Sequence, residues 1–294
     1  ILHNLRKTVE RAGIQVENVV ISPLALTRSI LNEGEKEFGA TVIDLGGGQT
    51  TVAVMRGQEL QYTNTYQEGG DYITKDISKV LTTSQSIAEN LKFNYGVAYP
   101  QQATEKEKFT VEVIGESNPV EVTERYLSEV IAARLRQIFN RVKQDLERTR
   151  ALDLPGGIVL VGGGAILPGI TELAQEIFGV NTKLYIPNQI GIRNPSFAHV
   201  ISIVEYVGCL DEVEKIAQLA VNGEADLRQK PIEVPLSSKR PSVAPSLPKI
   251  VASEPSEEEE DLPVAPTYVP TEENEEPKSN IGEKIRGFFG SMFE

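Results

Sequence analysis

The chain has 294 residues, 40% of them hydrophobic, and a formal net charge of −13 at pH 7. That length suits one or two domains, and the acidic balance repels phosphate backbones, which argues against a nucleic-acid partner. One cysteine, Cys209, rules out a disulfide framework, and two histidines far apart in sequence, His3 and His199, offer no metal site and no Ser/His/Asp set.

Cys209 follows the apolar run Val200 to Val207, which predicts a buried thiol in a reducing compartment. No stretch approaches the roughly 18 to 20 apolar residues of a membrane-spanning helix, and no signal peptide is evident. The opening Ile1 in place of Met predicts a fragment of a longer polypeptide.

Along the chain, Leu2, Leu5, Val9 and Ala12 predict a helix ended by Gly13, and Val16 to Ile21 a buried strand. Pro23 starts a second helix, ending near Gly34. Thr41 to Asp44 and Thr51 to Met55 form a hairpin, with Glu59 to Thr65 as a third strand. Tyr72 to Leu81 and Ser84 to Tyr95 read as helices, and Phe109 to Ile114 and Val120 to Val122 as strands. Thr123 caps the longest helix, which keeps one apolar stripe from Leu127 to Leu146 and runs to about Arg150. Ile158 to Val161 is a compact strand, Pro168 to Phe178 a helix and Lys183 to Ile186 a strand. The last folded helices lie within Pro195 to Ala220. From Gly223 onward, ten of the 17 prolines and the acidic run Glu257 to Asp261 predict a disordered linker, 223–280, unable to bury enough surface to offset its ordering entropy.

Two glycine clusters carry chemistry. In Asp44-Leu45-Gly46-Gly47-Gly48-Gln49-Thr50-Thr51, glycines at a hairpin tip let backbone N–H groups converge on phosphate oxygens. Asp44 ends the incoming strand, where a carboxylate reaches a Mg²⁺ through water, and Thr50 and Thr51 offer hydroxyls near a terminal phosphate. The alternative is a plain glycine-rich hairpin. Gly162-Gly163-Gly164-Ala165 lies between a strand and a helix, where a ligand approaches the backbone and the helix N-terminus. It matches neither a Rossmann pattern, which needs glycine at Leu167, nor a Walker A pattern, which needs lysine at Ile170. An ordinary strand-to-helix turn is the alternative there.

The succession of a glycine hairpin, Gly69-Gly70-Asp71, Glu89-Asn90-Leu91-Lys92 on a helix and a Gly-Gly-Gly-Ala turn resembles the second half of the actin/Hsp70/sugar-kinase nucleotide cleft. The resemblance implies a partial α/β fold of the actin-like, ribonuclease H-like type. It assigns Gly46, Gly47, Gly48, Gln49, Thr50 and Thr51 to phosphate, with Gly69 and Gly70 beside them, and Asp44 to the metal. Glu89, Lys92, Gly162, Gly163 and Gly164 fall to adenosine; for Glu89 and Lys92 alone, a solvated i,i+3 pair is the alternative. The cofactors implied are ATP and Mg²⁺.

Within that superfamily the chain is similar to the FtsA family. Glu10-Arg11-Ala12-Gly13-Ile14, Pro23-Leu24-Ala25, Glu37-Phe38-Gly39 and Glu129-Val130-Ile131-Ala132-Ala133-Arg134 carry the likeness. It covers residues 1 to about 210 and resumes at the C-terminus. Residues 1–38 then end an inserted subdomain and return to the first actin-like domain. Residues 39–222 form the second, with an insertion at about 84–150. Gln49 departs from the threonine of many relatives, a change that touches hydrolysis more than binding. The family's first phosphate hairpin would precede Ile1, leaving half a cleft here.

The last segment, 281–294, places Ile281, Ile285, Phe288, Phe289, Met292 and Phe293 on one helical face, with Lys284 and Arg286 flanking it. Such a face suits an anionic membrane surface; docking onto the domain or a partner is the alternative. Six apolar groups contribute up to roughly 10 kcal/mol, nearly offset by ordering about 13 residues, so one tail binds reversibly and many act by avidity.

The family resemblance implies an ATP-binding, self-associating adaptor with at most weak ATPase activity. It would hold FtsZ filaments at the cytoplasmic face of the cell membrane during septum formation. The acidic C-terminal peptide of FtsZ would dock on the 84–150 insertion, with Arg134 and Gln137 as candidate contacts. The alternatives are a PilM-like pilus-assembly protein and a sugar or acetate kinase of the same superfamily; an Hsp70-type chaperone needs a substrate domain where the linker stands.

Overall fold

The computed structural model describes residues 1–16, 18–116 and 118–222. The linker and the segment 281–294, with Ile281, Ile285, Phe288, Phe289, Met292 and Phe293, lie outside the described residues. Nine helices and seven strands are seen among those described. Helix α1 (Leu2–Arg11) keeps none of its residues buried and ends before Gly13, whose φ is +78°. Helix α2 (Ser22–Ile30) begins with Pro23 in its first turn, where the missing N–H costs nothing. It stops at Leu31, and α3 (Glu33–Phe38) starts afresh on a reciprocal capping box between Asn32 and Glu35. The expected single helix to Gly34 is thus two.

The main sheet is built from β1 (Ala40–Leu45), β2 (Thr50–Arg56), β3 (Glu59–Tyr66), β6 (Ile158–Val161) and β7 (Thr182–Leu184) in the order β3-β2-β1-β6-β7. The first three are an antiparallel meander, whereas β1–β6 and β6–β7 run parallel. The strand expected at Val16 to Ile21 does not form among the described residues there. It has no sheet neighbour to satisfy its backbone, and Val19 and Ile21 are exposed.

Both faces of the sheet are covered, which explains why β6 reads as a continuous apolar run. Ile43, Leu45, Ile158 and Leu160 face one way, onto α4 (Gly70–Leu81), α6 (Glu124–Arg148) and α7 (Ile170–Phe178). Val42, Val159 and Val161 face the other, packing with Leu26 and Ile30 of α2 and Ala198 of α8 (Ala198–Gly208). Strand alternation alone sorts these residues into two cores.

Helix α6 carries the stripe read from sequence: Leu127, Ile131, Leu135, Ile138, Phe139, Val142 and Leu146 are all buried, and Thr123 accepts from the Tyr126 N–H as its N-cap. It is tied to its neighbours by polar contacts as well. Arg134 of α6 makes a bidentate pair with Asp76 of α4 (Nε–Oδ2 2.5 Å, Nη2–Oδ1 2.9 Å), with side-chain exposures of only 15% and 6%. Asp145 accepts at Oδ2 from the Tyr62 hydroxyl (2.9 Å), Asn64 Nδ2 (2.9 Å) and the Tyr66 hydroxyl, which pins the sheet-edge strand β3 to α6.

Helix α5 (Gln85–Tyr95) is capped by Ser84, and β4 (Lys108–Val111) pairs with β5 (Val120–Thr123) as a small separate sheet. After α8, helix α9 (Glu212–Asn222) ends the described chain. Cys209 caps α8 and is exposed, which corrects the expectation of a buried thiol. Leu210 takes the buried position instead. Cys209 borders a cleft of about 570 Å³ with Arg28, Glu205 and Tyr206, none of which belongs to the glycine turns.

Candidate functional site

The two glycine clusters are distant in sequence and adjacent in space. Parallel pairing puts Asp44 opposite Val161, so the hairpin tip after β1 and the turn after β6 leave the sheet side by side at the carboxyl ends of neighbouring strands. Open α/β sheets bind ligands at that end. The contact is close: a Cβ on Gly162 would stand 2.4 Å from Asp44 Oδ1 and 2.6 Å from Leu45 O, and one on Gly164 3.0 Å from Leu45 O. Gly162 also has φ +92°, a value few side-chain-bearing residues adopt. Beyond it, Gly163–Ile166 forms one turn of 3₁₀ helix.

The hairpin tip is braced from below by α4. Its first N–H groups, on Gly70 and Asp71, donate to Gly46 O (3.0 Å) and Gly47 O (2.8 Å), and the Gly46 N–H closes the tip onto Gln49 O (2.9 Å). A Cβ on Gly69 would stand 2.4 Å from Gly46 O and 2.5 Å from Gly47 O. Gly69 therefore allows α4 to touch the loop, and Gly70 contributes its backbone N–H. Gly47, Gly48 and Gln49 are exposed, and among the described residues the Gly47, Gly48, Gly163 and Gly164 N–H groups donate to no partner outside the regular helices and strands. Exposed donors on two facing turns are what an oxyanion ligand requires.

The hydroxyls read as phosphate contacts are otherwise engaged. Thr50 is fully buried and donates to Glu68 O (2.7 Å), and Thr51 shares a hydrogen bond with Thr65 (3.2 Å) across β2–β3. Alternation along β2 sends the two side chains to opposite faces, and each finds a partner within the protein.

Lys92 is likewise committed. Its ammonium donates to Gly70 O (3.1 Å), Thr74 Oγ1 (2.8 Å) and Glu89 Oε2 (2.8 Å), which uses all three of its protons. It clamps α5 to the first turn of α4, so its effect on the loop is indirect. Glu89 stays half exposed; burial pushes its carboxyl up, but Lys92 and Thr74 bring it below the ordinary range. Phe93, four residues further on, leaves its ring 83% exposed. Of the expected peptide contacts Arg134 is also spoken for, and Gln137 accepts from it at Oε1. Arg134 is locked to Asp76, donates to Gln137 Oε1 and lies 5.6 Å from the centre of the Tyr72 ring. The apolar stripe of α6 places this face inward, against α4.

Asp44 keeps its side chain only 15% exposed, and His199 Nδ1 of α8 lies 3.5 Å from its Oδ2. Burial pushes the Asp44 carboxyl above the ordinary range, and His199 draws it partly back. The free N–H donors suit a phosphate, and a shielded carboxylate beside them fits a divalent cation that takes most of its ligands from water and that phosphate. Among the described residues no group of three or more His, Cys, Asp or Glu gathers into a metal site of its own. His199 was invisible as a site residue in the sequence, 155 positions from Asp44, because only the β1–β6 pairing and the Pro195 O to Gly162 N–H bond (3.3 Å) bring α8 to the glycine turns.

Solved structures share this architecture. MreB5 of Spiroplasma citri bound to ADP superposes with a TM-score of 0.60 at 18% identity, covering 75% of this chain and 67% of that one. The PilM-PilN type IV pilus biogenesis complex gives 0.53 at 17% identity, with 70% and 57% covered. At such identities the likeness establishes the actin-like fold and no more.

Sequence relatives go further. Residues 41–202 match the family model for cell division protein FtsA, and residues 213–294 that for its C-terminal region. The chain is 60% identical to cell division protein FtsA of Streptococcus pneumoniae over its whole length and 51% identical to that of Enterococcus hirae. It spans 64% and 63% of the length of these two relatives. The chain belongs to the FtsA family of cell-division proteins.

Proposed function

We propose that the protein binds ATP with a divalent cation between the two glycine turns, self-assembles, and anchors FtsZ filaments to the cytoplasmic face of the cell membrane during septum formation. The observation that carries the nucleotide reading is the meeting of the two turns around Asp44 with exposed N–H donors. In this reading Gly47, Gly48 and Gln49 hold phosphate, and Gly46 closes the hairpin tip beneath them through its N–H bond to Gln49 O. Gly162, Gly163, Gly164 and Glu89 border the nucleoside, and Asp44 orients cation-bound water. Gly69, Gly70 and Lys92 act one layer back by fixing the loop, and so do Thr50 and Thr51 through β2–β3. The bound ADP of the Spiroplasma citri MreB5 structure, which has the same fold, supports it.

The FtsZ peptide would dock on the region at about 84–150 through groups other than the committed Arg134. Residues 223–280 would serve as a tether and 281–294 as a reversible lipid hook. The shared architecture with the MamK double helical filament, at a TM-score of 0.51, is compatible with assembly. Co-sedimentation of the full-length protein with FtsZ and liposomes, with and without ATP, tests the whole reading. Recovery of FtsZ with the liposomes only when the protein is present is the expected outcome, and unchanged FtsZ recovery rejects it. The pilus-type reading predicts no vesicle flotation that depends on 281–294, and the kinase reading predicts phosphorylation of a sugar or acetate.

A further inference from the structure

The Asp44 carboxylate has a neighbour that the glycine turns do not call for. One of its oxygens is closed off, since Oδ1 lies against the Cα of Gly162 at a spacing that leaves no room for a Cβ. Oδ2 is the oxygen that faces His199, whose Nδ1 lies 3.5 Å away on a side chain that is 41% exposed. His199 is free to serve because it sits at the second position of α8, held by the Asn194–Ser196 turn (Asn194 Oδ1 to Ser196 N 2.9 Å), whose Pro195 carbonyl is bonded to Gly162. The ring is therefore delivered to the carboxylate by the same turn that forms the site.

All-oxygen surroundings suit Mg²⁺ and Mn²⁺ alike, whereas an imidazole nitrogen is a poorer partner for the hard Mg²⁺ than for a first-row transition ion such as Mn²⁺. We propose that His199 sets the cation preference of this site, placing an imidazole nitrogen beside the Asp44 carboxylate and so tilting the nucleotide-bound cation from Mg²⁺ toward Mn²⁺. This rests on the nucleotide reading above and adds to it a specificity-determining residue.

The test measures binding of a fluorescent ATP analogue to the full-length protein while MgCl₂ or MnCl₂ is titrated, in the wild type and in His199→Ala. The expected result is that the ratio of half-saturating Mg²⁺ to Mn²⁺ drops about tenfold in His199→Ala, the scale on which groups around a metal tune its affinity. An independent readout is the electron spin-echo modulation of bound Mn²⁺. A nitrogen coupling that changes when the histidines are labelled with nitrogen-15 is expected in the wild type, so the proposal survives even a variant that folds poorly. A wild type that binds nucleotide with either ion, shows no nitrogen coupling and has the same cation ratio as His199→Ala overturns the role of His199 alone. A wild type that binds no nucleotide with either ion overturns the nucleotide reading and this inference with it.

Discussion

Arg134 and Gly162 illustrate how single side chains, or their absence, are fixed by neighbours rather than by ligands. Removing Arg134 leaves the Asp76 carboxylate, 6% exposed, without a counter-charge in the α4–α6 interface. Arg134→Ala is expected to destabilise the domain by about 3–5 kcal/mol, read by urea unfolding. A variant that unfolds like the wild type but loses FtsZ binding would restore Arg134 as a peptide contact. At Gly162 the added Cβ meets Asp44 Oδ1 and Leu45 O at 2.4 and 2.6 Å and must also adopt φ +92°. Gly162→Ala should push the two turns apart, weakening binding of labelled ATP at least tenfold, roughly 1.4 kcal/mol, while the far edge of the sheet keeps its amide protection in hydrogen exchange. The sequence marks Gly162 as special through its run of three glycines, but says nothing of what it touches. Lys92 shows the converse: its spacing from Glu89 is legible, its three bonds are not.

At the scale of elements, the attachment of β3 to α6 hangs on one carboxylate. The Tyr66 hydroxyl first, then Asn64, Tyr62 and Arg148, hold the Asp145 carboxyl below the ordinary range, although partial burial works the other way. A carboxyl lowered in the folded state stabilises above its unfolded value, about 3.9, and loses that contribution as pH falls through the folded value. Asp145→Asn is therefore expected to cost about 2 kcal/mol at pH 7, and the gap in melting temperature from wild type should stay level down to pH 4 and close below it. A gap that persists unchanged at pH 2 would remove the ionic part of the argument. Such elements were largely visible in the sequence where their signals are local. The α6 stripe with its Thr123 cap, the β1–β2–β3 meander and the β6 run depend on residues a few positions apart. The strand expected at Val16 to Ile21 failed because pairing is a non-local property that apolarity alone cannot supply. The break at Leu31 was legible in the Asn32–Glu35 spacing, which a capping box explains once the helix is seen to restart. Cys209 was misplaced by extending the apolar run of α8 past the helix end.

For the molecule as a whole, the globular part and the residues after Asn222 divide the work in the proposed function. Deleting residues 281–294 should abolish flotation with anionic vesicles, while leaving the melting temperature of the folded part within about 1 °C and nucleotide binding intact. Flotation that survives the deletion would move the lipid contact to the globular part. Among the described residues no helix is long and apolar enough to cross a membrane. The burial of β6 was readable from its unbroken apolarity, yet the strand order was not, since nothing local tells β1 to choose β6 as its second neighbour.

That choice has a bearing on how the protein is made. Strand β1 ends at Leu45 and β6 begins at Ile158, so synthesis runs through more than a hundred residues between them. A ribosome adding about 5–20 residues per second has made the hairpin, α4, α5 and the whole of α6 before the second turn exists. During those seconds the inner edge of β1 is an open row of backbone donors and acceptors, vulnerable to pairing with another nascent chain. Docking of β6 closes that edge and completes the candidate cleft in a single late event.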